Sequence, residues 1–185
     1  MQLDRFSPPV LIRLLTLASA LVFTGLAHAD DYSDVNQLLK SGKGTEALAK
    51  ADKYLADKPK DPQMRFLKGV IQTQAGNTTE AIATFTALTQ DYPELPEPYN
   101  NLAALLASQN QLDKARTALE MAIRINPGYA IAHENLGDIY ARMANQSYAR
   151  AQQLESGNAQ LAPKMALIRD VFNVGAKPAK PAAKK

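Results

Sequence analysis

Residues 96–129 read PEPYNNLAALLASQNQLDKARTALEMAIRINPGY, and this stretch decides the fold. Its markers recur when the window moves by 34 residues. Ala115 falls in a row with Ala47, Ala81 and Ala149, and Pro127 in a row with Pro59 and Pro93. Ala103 lies in a row with Gly69 and Gly137. A fixed period of this length is the signature of a stacked-repeat solenoid, in which each repeat is one supersecondary unit. The class of function that follows is a binding scaffold. The partner is not named by the period.

Each marker has a mechanical reason. Helical hairpins stack only where backbones approach closely, so Gly or Ala is expected where helices cross, and a larger side chain there would overpack. The large residue four positions after the second-helix alanine lies on the same helix face, as Phe85 and Leu119 do. Proline ends the second helix because it lacks an N–H and disfavours helix at the preceding residue.

The stretch resembles the tetratricopeptide pattern W-x2-L-G-x2-Y, then A-x3-F, then P, over two helices. It carries Tyr99, Leu102, Ala103 and Leu106, then Ala115, Leu119 and Pro127. The stretch from Ala130 gives His133, Leu136, Gly137 and Tyr140, then Ala149. That from Pro62 gives Gly69, Ala81, Phe85 and Pro93. The first unit keeps Ala47 and Pro59, with Ala51 at the aromatic position and Val35 at the glycine position. No position carries the family's Trp, and the fourth unit lacks its proline. The resemblance covers about Tyr32 to Leu161. It implies an all-α, right-handed superhelical solenoid of antiparallel helix pairs.

The ends read differently. Arg5 and Arg13 precede the apolar run Leu14–Ala27, and Ala27-His28-Ala29 places small residues at the two positions a signal peptidase reads. This is a secretory signal pattern, so residues 1–29 are expected to be removed and the mature chain to begin at Asp30. The alternative is an uncleaved membrane anchor, although the run is shorter than the roughly 20 residues a spanning helix needs. Export into a bacterial periplasm is the expected location, with no stable membrane insertion after cleavage. The chain has no cysteine, so its repeats must hold together without disulfides. Residues 175–185 are Lys, Pro and Ala after a glycine, a composition that cannot bury a core. They read as a solvated tail or as a basic tether to an anionic membrane or wall polymer. The tail lysines account for a pI near 9.0. Without the tail and the signal, the repeats are slightly acidic, which argues against a nucleic-acid surface.

The domain reading is a degenerate first helix pair over 30–61, repeats over 62–95 and 96–129, and a fourth over 130–161 with a degenerate second helix. A capping segment over 162–174 follows. Nine helices are expected. The fourth pair is placed at Ala130–Met143 and Gln146–Glu155 with a turn at Ala144-Asn145. A final helix is placed at Ala162–Asn173, where Met165, Ile168 and Phe172 would cover the last repeat while Lys164, Arg169 and Asp170 face water.

In the family, the first helix of each pair lines the concave face, where partner segments lie. By register the resemblance implies groove positions Gln63, Phe66, Val70 and Thr73 in the second unit. The third gives Asn100, Asn101, Ala104 and Ser108. The fourth gives Ile131, Glu134, Asn135, Asp138 and Arg142. Asn101 and Asn135 share a register, and an Asn side chain both donates and accepts, so it can read a peptide backbone. The alternative role for these asparagines is solvation or interhelix bonding. The family's carboxylate clamp is missing, since Phe66, Val70, Ile131 and Asn135 stand at its positions. Glu134 and Asp138, one turn apart, suit a basic or amino-bearing ligand or form an ordinary acidic face.

Catalytic signals are poor. His133 stands where the repeat places an aromatic, which favours packing over chemistry. With no cysteine and one histidine outside the signal, zinc and thiol sites are not expected. Gly42-Lys43-Gly44-Thr45 lacks the spacing of a phosphate loop. No cofactor is expected, and the protein is read as no enzyme. The expected function is an exported adaptor or assembly factor that holds a segment of another exported or envelope protein. The alternative is a structural protein that self-associates by stacking repeat ends, so a homo-oligomer is possible.

Overall fold

The computed structural model describes residues 31–172, all of them helix, turn or loop. The signal and tail readings fall outside the described residues. The chain divides between Pro93 and Glu94 into two units.

The first unit contains α1 (31–40), α2 (Gly44–Asp57), α3 (Pro62–Gln74) and α4 (Thr78–Asp91). Its core joins Val35, Ala47, Ala51, Tyr54, Met64 and Ile71. Burial of such apolar surface is worth about 25 cal/mol per Å² and supplies most of the stability of short helices. Ala81, Phe85 and Leu88 are fully buried on α4. The demand for a small residue at position 69 is literal. A Cβ on Gly69 would lie 2.7 Å from Phe85 Cζ, and Phe85 is held edge-on by Phe66 with ring centres 5.6 Å apart.

Asp61 organises the entry to α3. Its Oδ1 accepts from the Met64 N–H at 2.8 Å, capping the helix, and Pro62 fills the first helical position, where its missing N–H costs nothing. Its Oδ2 accepts from the hydroxyls of Tyr32 at 2.5 Å and Tyr54 at 3.1 Å. One carboxylate thus ties α1, α2 and α3 together. Burial alone would raise its pKa, but these hydrogen bonds outweigh burial and hold it below the ordinary carboxylate value. Burial, then the Asp61 hydrogen bond, pushes the Tyr32 hydroxyl well above its usual value.

The second unit contains α5 (Pro96–Ser108), α6 (Leu112–Ile125), α7 (Ala130–Leu154) and α8 (Leu161–Phe172). Its core joins Ala103, Leu106, Leu112, Ala115, Ala118, Leu119, Ala122, Ala132 and Ile139. Pro59, Pro93 and Pro127 each stand two residues past the end of α2, α4 and α6, as the breaker role requires.

Three hairpin turns are built alike. Gly42, Gly76 and Asn110 adopt φ of 73°, 78° and 59°, and they stand one period apart. The next residue closes a six-residue ring in each turn. Lys43 N bonds Leu38 O, Asn77 N bonds Gln72 O, and Gln111 N bonds Leu106 O, each at 2.9 Å. This is the Schellman stop, and it needs a residue that tolerates the left-handed region.

The expected fourth turn does not exist. α7 runs unbroken through Ala144 and Asn145, so the described residues hold eight helices where nine were expected. The residue one period after Asn110 is Ala144. Alanine is costly in the left-handed region and is the strongest helix former, so the helix continues. Two further expectations fall with that turn. Ala149 is only half-buried, and nothing lies within 4 Å of a Cβ on Gly137. The residue that would cover Gly137 is Gln153, one period after Leu119, and it sits at the far end of α7.

α8 packs back on α7 as the cap, with Leu161 buried and Met165 and Ile168 half-buried. Phe172 does not bury as expected. It is 42% exposed, and the Arg142 guanidinium stands 5.6 Å from its ring centre. Lys164, Arg169 and Asp170 are exposed as expected, and Lys164 Nζ lies 5.3 Å from the Tyr148 ring centre.

Candidate functional site

Within the second unit α5 and α7 pack side by side and enclose a hollow of about 190 Å³. Its walls come from Ala103, Ala104, Ala107, Ser108, Leu119, Asn135, Asp138, Ile139 and Arg142. The apolar part of this lining is small because α5 carries alanine at 103, 104 and 107. The polar part comes from Ser108 at the end of α5 and from α7, where Asn135, Asp138 and Arg142 follow at helical spacing.

Of the expected groove residues, Ala104, Ser108, Asn135, Asp138 and Arg142 line this hollow. Asn100 is buried, and its Oδ1 accepts from Asn135 Nδ2 at 2.8 Å. Among the described residues, the Asn135 carbonyl oxygen and its second N–H have no hydrogen-bond partner. Asn101 serves its own helix, donating to the Glu97 carbonyl at 2.9 Å. The two asparagines that share a register therefore do different jobs. Ser108 donates to the Leu105 carbonyl at 2.6 Å. Ile131 is 55% exposed, and Glu134 is exposed one turn before Asp138. Among the described residues neither Glu134 nor Asp138 has an ion-pair partner.

Gln63, Phe66, Val70 and Thr73 lie on α3, in the first unit. Phe66 is half-buried against Phe85, and Thr73 donates to the Gly69 carbonyl at 2.8 Å. Gln63 is exposed and Val70 half-buried. His133 is not a packed aromatic substitute. It is exposed, and its Nε2 donates to the Pro127 carbonyl at 2.9 Å. Ala103 and Leu119 were read as packing residues and Ala107 and Ile139 were assigned no role, yet all four form part of the lining. Their signal was present, since small residues on one helix beside a polar row on the next leave space.

Among the described residues no three His, Cys, Asp or Glu side chains could hold a metal ion, and no helix is long and apolar enough to cross a membrane.

Two family models match the chain, one for a tetratricopeptide repeat over residues 35–96 and one for a TPR repeat over residues 105–143. Together they span more than half of its length. The chain belongs to the tetratricopeptide repeat family. This fold is generally a non-catalytic scaffold for protein interaction. The repeats are similar to the TPR repeat-containing thioredoxin TTL4 of Arabidopsis thaliana, 34% identical over 89 residues, which cover 48% of this chain and 13% of that protein. The chain spans between 13% and 28% of the length of the curated relatives it matches. Among solved structures, the first TPR of Spaghetti (RPAP3) bound to the HSP90 peptide SRMEEVD is similar at TM-score 0.59 and 18% identity. That match covers 62% of this chain and 90% of the other. The Yersinia enterocolitica type III secretion chaperone SycD, in complex with a peptide of the translocator YopD, is similar at TM-score 0.58 and 16% identity. It covers 63% of this chain and 95% of that one. At these identities the likeness is one of fold.

Proposed function

We propose that this tetratricopeptide protein is an exported, non-catalytic adaptor or assembly factor that holds a segment of another envelope protein against α5 and α7. The observation that carries the reading is the hollow itself. It offers an apolar alanine wall, an Asn135 amide held in place by Asn100, and a carboxylate at Asp138 without an ion-pair partner in the described chain. A volume near 190 Å³ suits one partner side chain. Asn135 is oriented by Asn100 and presents an acceptor and a donor to the segment's backbone. Two similar folds were solved with peptides, which supports a peptide-holding role.

Ala104→Phe tests the reading. Ala104 is exposed on the hollow's wall, so a ring there fills the space without entering the core. A partner captured by the full chain from periplasmic extract should bind the variant at least tenfold more weakly by calorimetry, the equivalent of about 1.4 kcal/mol. Equal affinity in a folded variant would reject the site. Export is supported by the Arg-flanked apolar run and Ala27-His28-Ala29. Intact mass of the periplasmic protein should correspond to a chain starting at Asp30. A membrane-bound mass retaining Met1 would mean an anchor.

A further inference from the structure

A second cavity, of about 370 Å³, shares Arg142 with the hollow and opens between α7 and α8. Arg169 joins Arg142 in its wall, and no carboxylate lines it. Among the described residues neither arginine has an ion-pair partner. Like charges gathered in one recess repel each other, and an anion between them relieves that repulsion. Arg142 Cζ stands 5.6 Å from the Phe172 ring centre, so the ring steadies the guanidinium while its edge keeps N–H donors for an acceptor. A neutral donor stands beside the cations. Asn110 Oδ1 accepts from Gln146 Nε2 at 3.0 Å, which fixes the amide and leaves its NH2 without a partner among the described residues. The choice of residue is informative, because Asn110 takes φ of 59° in the row where Gly42 and Gly76 make the same turn. Glycine would be less strained there, whereas asparagine brings an amide to the recess.

The rest of the wall says which anion fits. Ile168 and Phe172 are apolar, and a phosphate or sulfate has no use for them. A carboxylate on a methylene stem uses both kinds of wall, and arginine can grip it with two parallel N–H···O bonds. The recess and the hollow meet at Arg142, so one extended segment can serve both. The rise from Asp138 to Arg142 is about 6 Å, and alternate side chains of an extended segment stand about 7 Å apart on one side.

We propose that the recess between α7 and α8 is a carboxylate site for an Asp or Glu side chain of the partner segment, with a Lys or Arg two residues away meeting Asp138 in the hollow. The two sites together read a basic–acidic alternation and set the direction in which the segment lies. This inference rests on the reading of the hollow as a partner site, and it names the chemistry of that partner.

The probes are the peptides Ala-Lys-Ala-Glu-Ala and Ala-Lys-Ala-Gln-Ala, blocked at both ends so that no terminal charge competes. Each is titrated into the full chain at low salt and followed by NMR. The Glu peptide should bind about threefold more tightly or better, the scale of a partly exposed ion pair. It should shift the side-chain N–H signals of Arg142, Arg169 and Asn110. Arg169→Gln, at an exposed position on α8, should remove the preference while the amide signals of α5 and α6 stay in place. No saturable shift, equal affinities, or a preference that survives both Arg169→Gln and Arg142→Gln would each overturn the proposal. Inorganic phosphate is the third probe. If it moves the same signals and outcompetes the Glu peptide at equal concentration, the recess is a general anion site and the assignment to a peptide carboxylate fails. Ala104→Phe separates the two readings. A Glu preference beside binding that ignores Ala104→Phe rejects the hollow alone, and Ala104-dependent binding without a Glu preference rejects the carboxylate site alone.

Discussion

At the scale of residues, one register position serves two different ends. Gly69 and Gly137 stand in the same row, yet only Gly69 is pressed by a neighbour. Helix propensity favours alanine over glycine by about 1 kcal/mol. At position 69 the clash with Phe85 opposes it, and overpacking costs roughly 1–3 kcal/mol. Phe85 is fully buried and braced by Phe66, so the clash wins. Gly69→Ala should lower the urea midpoint, whereas Gly137→Ala should raise it, since open space leaves only the propensity gain. A raised midpoint at 69 would contradict the packing described for Phe85. Asp61 gives a pH prediction. Its folded pKa is lowered, while an unfolded Asp titrates near about 3.9. The unfolded chain therefore binds more protons in the window below that value. The stabilisation is present above it and is lost as pH falls through the folded pKa. Asp61→Asn should cost about 1 kcal/mol at neutral pH, on the scale of one hydrogen bond. The difference from the native chain should shrink below about pH 4. A difference that is constant between neutral pH and pH 3 would mean the carboxylate charge has no part in it.

At the scale of elements, the row Gly42, Gly76, Asn110 and Ala144 separates three hairpins from one long helix. Gly76→Ala should destabilise, because a left-handed alanine costs roughly 1–2 kcal/mol. Ala144→Gly should also destabilise, by about 1 kcal/mol, because it puts glycine inside a helix. Denaturation of the two variants decides the matter: if Ala144→Gly stabilised the protein, a turn there would be favoured after all. Most of the helix pattern was legible in the sequence because small residues, prolines and turn formers repeat in one frame. The fourth turn was misread because the spacing of Ala149 argued for a hairpin that Ala144 could not close. The site was legible in part. Asp138, Asn135 and Ala104 follow from register. The bond between Asn100 and Asn135 does not, since the pair is one residue off the period and depends on how α5 and α7 lie together. Phe172 was misplaced because its partner is a cation across the helix pair and not a core.

At the scale of the whole molecule, the repeat region is slightly acidic and the lysines of the last eleven residues make the chain basic. That division accounts for a net charge of +3, while the hollow itself carries one charge of each sign, at Asp138 and Arg142. The central claim is that partner recognition belongs to α5 and α7 in the second unit. Hydrogen–deuterium exchange of the full chain, with and without the captured partner, tests it most directly. Protection should appear in the second half of α5 and across residues 134–142 of α7, with α1 and α2 unchanged. Protection confined to α1, α2 or α6, with α7 exchanging as in the free chain, would contradict the account.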